Sequence, residues 1–513
     1  MKILCLADNS SPDAWGHIIS SKYAQQKKLK FNGLLKKTEN YTNGVYHVGP
    51  MDLDTQSILE IAKKNFNKVV FVDQPQEKFS HSRIFLNLWK LIKDLRDNQV
   101  KVDEENKEIL QYLYDWEKIF EDNRHICVLP FTEIHNHNLG GLNLCGRSMH
   151  NVITEKTVYK NIVDSWRKGK NINKIRKNML NGQKNYQCNT CHTYEEKNIR
   201  DQRWNYSFDW IAKLQLKKIE DLKKLKNPLH YNIRLSNKCN LMCKMCSSEY
   251  SHLIEKENKT IKNTELRKFI PKTNYKYNGD FENIDVNTAV SVYITGGEPS
   301  FNHATFKFLE KCINSKKTNF KINIQTNAAK ITPKFFNLIK HFTNITMNCS
   351  VDGVGKVNEY QRWLLDSELQ KKNILEFYRQ GHHIHITHVV SIYNVSTIGD
   401  TFSFFDSEFP FASVQLQWAS FKEQILSPYN HPNKKLVLKS LEKAKQSRCY
   451  WHNESGTTEI INNLYKFYEN VNLPINTEKL KKFFWYNDNL DYMRGSKLID
   501  YIPTLEECRK YIK

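Results

Sequence analysis

The chain has 513 residues, of which 40% are hydrophobic and 12% aromatic, and this composition predicts globular domains and excludes a largely disordered protein. No run of about 18 apolar residues occurs, and the apolar stretch at residues 3–7 is too short for a secretory signal, so we expect a cytoplasmic protein with no membrane contact. The 77 basic and 55 acidic residues leave a net charge of +22, which favours an anionic partner and makes nucleic acid a candidate.

Residues 1–120 alternate between strand-like and helix-like segments. The strand candidates are KILCLA, GVYHVG and KVVFVDQP, and DTQSILEIAKKN has helical periodicity. This order predicts a small N-terminal α/β domain. It contains no glycine-rich phosphate loop, and Asp8 and Asp73, which follow two of the strands, are candidates for a site at the strand ends.

Residues 121–225 contain four cysteines, Cys127, Cys145, Cys188 and Cys191, in the spacing C-x12-G-x4-C followed by C-x2-C. The chain has twelve cysteines and no export signal, so we expect reduced thiols and favour metal binding over disulfides. Four cysteines would complete the ligand set of an iron–sulfur cubane, and they would equally satisfy zinc.

A basic segment in the same region, residues 167–184, holds seven basic residues and no acidic one. Ile172, Ile175 and Met179 recur at helical spacing, which predicts a helix with one apolar face. The opposite, basic face is either a solvated surface or a contact for nucleic acid or phosphate.

Residues 226–424 show a regular alternation of strand and helix. The six predicted strands are YNIRLS, AVSVYITGG, FKINIQT, ITMNCSVD, IHITHVVSIY and ASVQLQW. Strands that alternate with helices form parallel sheets with right-handed crossovers, so we predict a complete or partial β/α barrel with its site at the carboxyl ends of the strands. Residues 425–513 are predicted to form a C-terminal region of short amphipathic helices.

Cys239, Cys243 and Cys246 lie in the loop after the first of these strands, in the spacing C-x3-C-x2-C. A structural zinc site uses four ligands, and a cubane cluster also takes four cysteines, one for each iron. Three thiolates in one loop would bind three irons and leave the fourth iron open to a chelating substrate. Zinc binding or chance clustering is the alternative.

The second predicted strand ends in Gly296, Gly297, Glu298 and Pro299. Two glycines allow a backbone to approach a ligand closely, and a carboxylate beside them can accept hydrogen bonds from an ammonium group. This G-G-E-P sequence follows the cysteine loop at the next strand end, which makes the two motifs together more specific than either alone.

The two motifs together resemble the radical S-adenosylmethionine (SAM) superfamily over residues 228–420. The resemblance implies a partial or full β/α barrel in which the three loop cysteines hold a [4Fe–4S] cluster. The open iron would chelate the amino and carboxylate groups of SAM, and the backbone of residues 296–299 would contact that amino group. The resemblance also implies a reductant such as flavodoxin or ferredoxin, cleavage of SAM to a 5′-deoxyadenosyl radical, and hydrogen abstraction from a substrate.

Further strand ends match the pattern of this family. By resemblance, Thr326 and Asn327 meet SAM after the third strand. Ser350 and Asp352 would contact its ribose or methionine after the fourth strand, and Arg362 would pair with its carboxylate. The alternatives are local: Asp352 would cap a helix, and Arg362 would form a surface ion pair.

The first half of the upstream cysteine set resembles the twitch and SPASM auxiliary-cluster domains of radical SAM enzymes. Two features depart from that pattern: the set precedes the barrel, and C-x2-C is not followed by C-x5-C-x3-C. We therefore predict a twitch-like domain with one auxiliary [4Fe–4S] cluster, and zinc remains the alternative for the same four cysteines.

Three functions are compatible with the sequence. The first is a radical SAM enzyme that modifies a peptide or protein. The second is a radical SAM enzyme that acts on a nucleotide, a sugar or a nucleic acid, which the net charge would suit. The third is a non-catalytic iron–sulfur or zinc module that binds nucleic acid, and the G-G-E-P motif argues against it because such a module needs no site for SAM.

Overall fold

The fold was analysed in a computed structural model. It describes residues 2–7, 28, 31–34, 41–47, 60–62, 64, 66, 68–72, 115–116, 118–136, 141–146, 148, 154–155, 161–196, 203, 206–207, 210–211, 214, 216–270, 284–419, 425–451, 457–470 and 474–512. Asp8 and Asp73 lie outside these ranges, so the predicted site at the N-terminal strand ends is not described. Within the same ranges, no helix is both long enough and apolar enough to cross a membrane.

The chain forms two compact units, each discontinuous in sequence. The first comprises Met1–Glu133, Asn143–Glu155 and Arg167–Pro228, and the second comprises Ile134–Leu142, Lys156–Trp166 and Leu229–Lys513. The predicted barrel and the predicted C-terminal helices therefore fall in one unit. The bounds of the four domains derived from the sequence stay predictions.

The first unit contains a parallel sheet of four strands in the order β2-β3-β1-β4. Its strands are β1 (Lys2–Ala7), β2 (Phe31–Leu34), β3 (Gly44–His47) and β4 (Lys68–Val72). The three predicted strands of the N-terminal α/β region are confirmed. The sequence did not indicate β2, because a four-residue strand that contains a glycine carries little strand signal.

Four helices follow in the part of residues 129–195 that the structure describes. They are α1 (Leu129–Thr132), α2 (Ile162–Lys168), α3 (Lys170–Leu180) and α4 (Asn189–Glu195). The predicted basic helix is α3, and its buried residues are Ile172, Ile175 and Met179, so its apolar face is confirmed. Cys188 and Cys191 lie at the start of the α4 region, directly after the basic segment.

An eight-stranded sheet has the order β12-β11-β10-β9-β8-β7-β5-β6. Its strands are β5 (Glu133–Asn136), β6 (Leu142–Asn143), β7 (His230–Arg234), β8 (Ser291–Thr295), β9 (Lys321–Thr326), β10 (Ile345–Ser350), β11 (His383–Val390) and β12 (Ser413–Trp418). Strands β7–β12 pair in parallel and in chain order, which confirms the predicted partial β/α barrel.

The extra edge strands β5 and β6 come from the segment between the upstream cysteines. Beside β7, the side chain of Asn136 bonds both backbone groups of Arg234. Its Oδ1 accepts from the Arg234 amide (2.6 Å), and its Nδ2 donates to the Arg234 carbonyl (2.9 Å). The sequence predicted only six strands in this sheet and missed β5 and β6. A segment about 100 residues upstream gives no local sign of which strand it will pair with.

The parallel strands have two chemically different faces. One face consists mainly of buried apolar residues such as Ile233, Ile294, Ile324 and Ile386, together with the buried Thr326 and His388, and it packs against the crossover helices. The other face, which we call the polar face, consists of every second residue of β7–β12, starting from His230, Ser291, Lys321, Thr346, His383 and Ser413. Side chains alternate along each strand, so the two sets point to opposite sides of the sheet.

In the described residues between 230 and 418, seven helices accompany the parallel strands. They are α5 (His252–Thr260), α6 (Thr264–Phe269), α7 (His303–Asn314), α8 (Pro333–Ile339), α9 (Lys356–Gln361), α10 (Ser367–Arg379) and α11 (Ile398–Glu408). Asn302, Thr332 and Asp366 each cap a helix by accepting a hydrogen bond from a backbone amide of its first turn. These caps fix where α7, α8 and α10 begin relative to the strand ends.

The C-terminal region is helical, as predicted. Its helices are α12 (Lys434–Ala444), α13 (Arg448–Trp451), α14 (Thr457–Glu469), α15 (Thr477–Arg494), α16 (Leu498–Tyr501) and α17 (Pro503–Glu506). Helix α15 ends at Gly495, whose φ of +64° is the left-handed conformation common at such ends. Its buried side chains, among them Leu480 and Phe483, pack against Tyr393 and Ile425 from the barrel region.

Candidate functional site

The cysteine loop follows β7 and is bonded to the segment after α9. Lys244 N donates to the carbonyl oxygen of Gln361 at 2.7 Å. Met242 N donates to the carbonyl oxygen of Trp363 at 3.1 Å. The stretch of the loop that carries Cys243 is therefore held against the segment that contains Arg362.

The two glycines of the G-G-E-P motif pack against the start of the cysteine loop. Gly297 N donates to the carbonyl oxygen of Ser236 at 2.6 Å, and a Cβ on Gly297 would lie 2.1 Å from the carbonyl oxygen of Lys238. Gly296 has a φ of +130°, which side chains rarely adopt. From the sequence, these glycines are expected to lie against a ligand. In the structure, Gly296 packs against Leu235 and Ser236, and Gly297 packs against Lys238, the residue before the first loop cysteine.

The carboxylate of Glu298 is enclosed by protein donors. Its Oε1 accepts from Ser300 Oγ (2.6 Å) and Thr326 Oγ1 (2.8 Å), and its Oε2 accepts from Asn327 N (2.7 Å). Burial raises the pKa of Glu298, and these hydrogen bonds act against that rise. The carboxylate thus links the ends of β8 and β9. Because it is already bonded to the protein, the backbone of the motif is better suited to contact a ligand ammonium.

Asn327 extends from the end of β9 towards the cysteine loop. Its Nδ2 donates to Asn240 Oδ1 at 2.8 Å and lies 3.7 Å from the Sγ atom of Cys239. Its Oδ1 accepts from Ala329 N at 2.9 Å, which fixes the orientation of the amide. Asn327 therefore links the end of β9 to the cysteine loop at Asn240 and Cys239.

Arg362 and Asp352 form a buried ion pair at the same edge. Arg362 Nη2 lies 2.7 Å from Asp352 Oδ2, and Arg362 Nη1 lies 3.8 Å from the Sγ atom of Cys243. The other Asp352 oxygen accepts from Val389 N at 2.7 Å, so this carboxylate also reaches β11. Both predicted alternatives are wrong, because Asp352 does not cap a helix here and the ion pair is not on the surface.

Gln370 of α10 joins Ser350 to the rest of the site. Its Nε2 donates to the carbonyl oxygens of Asn327 (2.6 Å) and Ser350 (3.0 Å). Ser350 is half-buried, and its Oγ accepts from Gln325 Nε2 at 2.9 Å. The structure thus brings the ends of β7, β8, β9 and β10 together, and with them all the residues that the sequence assigned to the SAM site.

The thiols of the loop are disfavoured as free thiolates. Burial raises the pKa of Cys239 well above its ordinary value, and the neighbouring Cys243 and Glu298 raise it further. Burial also raises the pKa of Cys243, which the Arg362 guanidinium partly counters. A bound cation would remove this penalty, because a metal stabilises the deprotonated sulfur directly.

Residues 233–405, from within β7 into α11, match the family model described as the radical SAM superfamily. This segment is a radical SAM domain. Enzymes of this superfamily use a [4Fe–4S] cluster and SAM, and these are the cofactors that the domain implies. The chemistry of the donors fits them, because one loop carries three thiols, and Asn327 Nδ2 and Arg362 Nη1 lie 3.7 and 3.8 Å from the sulfurs of Cys239 and Cys243.

Several known proteins are similar to the chain over part of their length. An uncharacterized protein of Methanocaldococcus jannaschii is 29% identical over 138 residues, which are 26% of this chain and 41% of that protein. The structure of SuiB from Streptococcus suis bound to S-adenosylmethionine is 18% identical with a TM-score of 0.32, covering 54% of this chain and 60% of that one. The structure of native anSMEcpe with bound AdoMet is 18% identical with a TM-score of 0.30, covering 43% and 60%. The chain thus spans less than two thirds of each.

Residues of α15 also bind the cysteine loop, and no motif in the sequence indicated them. Lys244, between Cys243 and Cys246, is fully buried, and its Nζ lies 2.6 Å from Asp491 Oδ1 of α15 and 3.9 Å from the ring centre of Tyr360. Arg494, also of α15, donates to the carbonyl oxygen of Met242 at 2.9 Å. Only a K-x-C pattern and a late acidic residue mark this contact in the sequence, and neither is specific.

The upstream cysteines lie in the first unit. Burial raises the pKa of Cys127 to about 11. Burial also raises the pKa of Cys188, and the electrostatic effects of Cys127 and Cys191 add to the rise. Arg203 lies beside them, with Nη1 2.6 Å from the carbonyl oxygen of Ile126. Cys145 is half-buried in a turn, where its carbonyl oxygen accepts from Ser148 Oγ at 2.8 Å.

Proposed function

We propose that the protein is a radical SAM enzyme in which Cys239, Cys243 and Cys246 hold the [4Fe–4S] cluster that binds SAM. The observation that carries the proposal is the set of direct contacts between the cysteine loop and the neighbouring strand ends. Asn327 and Arg362 each place a donor within 4 Å of a cysteine sulfur, at 3.7 and 3.8 Å respectively. Donors next to thiolates are expected where a cluster is anchored, since hydrogen bonds to its sulfurs tune its potential.

The cluster and SAM, when bound, supply a 5′-deoxyadenosyl radical by one-electron reduction, with flavodoxin or ferredoxin as the kind of reductant expected. The residues of the chain would orient SAM beside the cluster. The backbone of residues 296–299 would face the SAM ammonium, while Glu298 keeps that turn fixed through Thr326 and Asn327. The Asp352–Arg362 pair is neutral as a whole, so it provides directed donors without adding net charge beside the cluster.

The first candidate substrate is a peptide or protein, from which the radical would abstract a hydrogen. It rests on the resemblance of the upstream cysteines to twitch and SPASM domains. The second candidate is a nucleotide, a sugar or a nucleic acid, and two observations favour it: the net charge of +22 and the polar face of the parallel strands.

Cys127, Cys145, Cys188 and Cys191 are proposed as the ligands of an auxiliary [4Fe–4S] cluster. The spacing of these four cysteines supports the proposal, and so do the electrostatic effects of Cys127 and Cys191, which raise the pKa of Cys188. Zinc would be bound by the same donors. Iron and zinc analysis of the purified protein separates the two.

The proposal is tested by replacing each loop cysteine with alanine and measuring 5′-deoxyadenosine formation under dithionite. Removing one thiolate leaves two cluster ligands from the chain. The rate of 5′-deoxyadenosine formation should therefore fall at least about 100-fold in each variant, since losing even a hydrogen-bond partner of a metal ligand can lower activity by up to about that factor. Cys312→Ala is the matched control, because Cys312 is a buried core residue of α7 and should leave the rate unchanged. A Cys243→Ala variant that cleaves SAM at the rate of the wild type would show that the proposal is wrong.

A further inference from the structure

Three side chains with metal-ligand chemistry lie together on two neighbouring strands of the eight-stranded sheet. Glu133 and His135 belong to β5, and His230 is the first residue of β7, which lies beside β5 in the sheet. Each of the three offers one ligand atom, and these atoms all lie within 4.8 Å of one another. None of these residues belongs to the cysteine loop or to the upstream cysteine set.

The strand geometry brings the three side chains to one side of the sheet. Glu133 and His135 are two residues apart on β5, and side chains alternate along a strand, so both point to the same face. The rings of His135 and His230 lie 6.1 Å apart, centre to centre. Glu133 and His135 are each 9% exposed, and His230 is half-buried, so a ligand between them would be largely shielded from bulk water.

Hydrogen bonds from neighbouring residues orient two of the three side chains. Trp210 Nε1 donates to Glu133 Oε1 at 3.0 Å, which holds the carboxylate in one orientation. His230 Nδ1 lies 2.7 Å from Ser291 Oγ, so Nε2 is the ring nitrogen suited to bind a metal. Metal-binding histidines and carboxylates commonly have such a partner, which fixes the ring or carboxylate and makes it a better ligand.

We propose that Glu133, His135 and His230 bind one divalent transition metal, zinc or iron(II). Two imidazoles and one carboxylate are a ligand set that both metals use in proteins, with at least one further position for water or another ligand. Ligands about 2.1 Å from a tetrahedral zinc stand about 3.4 Å apart, so the three side chains would draw together by about 1 Å on binding.

The proposed metal site lies at the opposite end of β7 from the proposed SAM site. His230 and Arg234 are the first and last residues of β7, which puts them about 13 Å apart at about 3.3 Å per residue. The cysteine loop follows Arg234. The metal would therefore link β5 to β7 at the amino end of β7, as the bonds between Asn136 and Arg234 link these strands at its carboxyl end.

The test is metal binding by the reconstituted full chain, in which iron–sulfur clusters occupy the cysteine sites. Zinc and iron(II) are each titrated anaerobically by calorimetry. The wild type should bind one equivalent of the tighter metal, and Glu133→Gln and His135→Gln should each weaken that binding at least about ten-fold. Glu133→Gln keeps an oxygen that can accept from Trp210, so it changes charge and not shape. His341→Gln, which removes an exposed histidine, is the matched control and should bind like the wild type.

X-ray absorption at the zinc edge of the zinc-loaded wild type identifies the ligands without any variant. Nitrogen and oxygen ligands at about 2.0–2.2 Å are expected, whereas zinc held by the upstream cysteines would show sulfur at about 2.3 Å. A wild type that binds neither metal more tightly than the two variants overturns the inference, and so does a zinc spectrum with sulfur ligands alone. In either case, the three residues are a hydrogen-bonded polar cluster of the sheet.

Discussion

Gly297 packs so closely against the cysteine loop that only a hydrogen atom fits in place of a side chain. Its amide bonds the carbonyl oxygen of Ser236 at 2.6 Å, and no other residue type leaves room for the carbonyl group of Lys238. From the sequence alone, a bulky replacement of Gly297 would be expected to spare the cluster and hinder SAM. The contact with Lys238 reverses that expectation, because Lys238 immediately precedes Cys239.

We predict that Gly297→Val displaces the loop and lowers the iron content of the SAM site together with its activity. Overpacking at this contact should cost about 3 kcal/mol or more of unfolding free energy, measured by denaturant titration. Gly381→Ala is the control, since its φ of +84° makes the change strained by about 1 kcal/mol but no atom lies within 4 Å of the new Cβ. Full iron loading of Gly297→Val would contradict the prediction.

Helix α15 binds the cysteine loop through charged side chains. Asp491 pairs with Lys244 at 2.6 Å, and its Oδ2 accepts from Tyr360 OH at 2.7 Å. Arg494 adds a bond to the loop backbone and an ion pair with Glu257 at 2.7 Å. The sequence predicted the C-terminal region as short amphipathic helices. In the structure, α15 of this region helps to hold the cysteine loop in place.

Asp491→Asn should strongly destabilise the chain, because it leaves the buried Lys244 ammonium without its counter-charge. The expected loss is about 3 to 5 kcal/mol of unfolding free energy, with lower iron retention on reconstitution. Asp488→Asn, on the same helix, removes an exposed pair with Arg509 and should cost less than about 1 kcal/mol. Equal effects of the two substitutions would refute the role assigned to Asp491.

Helix α3 carries a basic surface, and only part of that surface faces solvent. Lys174 and Lys177 are exposed. Arg176 is half-buried, its Nε donates to the carbonyl oxygen of Pro130 at 2.9 Å, and burial lowers its pKa to about 10. Arg176 therefore belongs to the packing of the helix, and the two lysines are the residues suited to an anionic polymer.

If α3 binds nucleic acid, replacing Lys174 and Lys177 with Gln should weaken RNA binding and lower the slope of log K against log salt by about 1.5. Replacing Lys435 and Lys439 with Gln, on the exposed side of α12, is the matched control and should change neither. The slopes are measured by fluorescence anisotropy. Equal slopes for the two double variants would show that the basic face of α3 is a solvated surface and does not bind RNA.

For the whole molecule, the two cysteine sets predict two metal centres. With a cubane at each, the reconstituted wild type should carry about 8 iron atoms per chain. Cys188→Ala combined with Cys191→Ala should lower the iron content to about 4 and still permit SAM cleavage. About 4 iron atoms with one zinc in the wild type would assign the upstream set to zinc.

The sequence by itself determined the elements of the radical SAM domain and the residues of its loop. Strands and crossover helices follow from periodicities of 2 and 3.6 residues, which are local, and the spacing of Cys239, Cys243 and Cys246 is confined to eight residues. The predicted strands β7–β12 and the gathering of Thr326, Asn327 and Asp352 at one edge follow, because parallel strands end on the same side.

Only the tertiary structure decided what those residues touch. The Lys244–Asp491 pair spans 247 residues, and the Asn136–Arg234 bonds span 98, so neither leaves a periodic signal. The inward turn of the Glu298 carboxylate and the pairing of Arg362 with Asp352 likewise depend on which donors packing brings close. Burying a charge without a counter-charge is unfavourable in free energy, so each of these buried charges lies beside a partner. That partner comes from another part of the chain, and no local pattern in the sequence can indicate it.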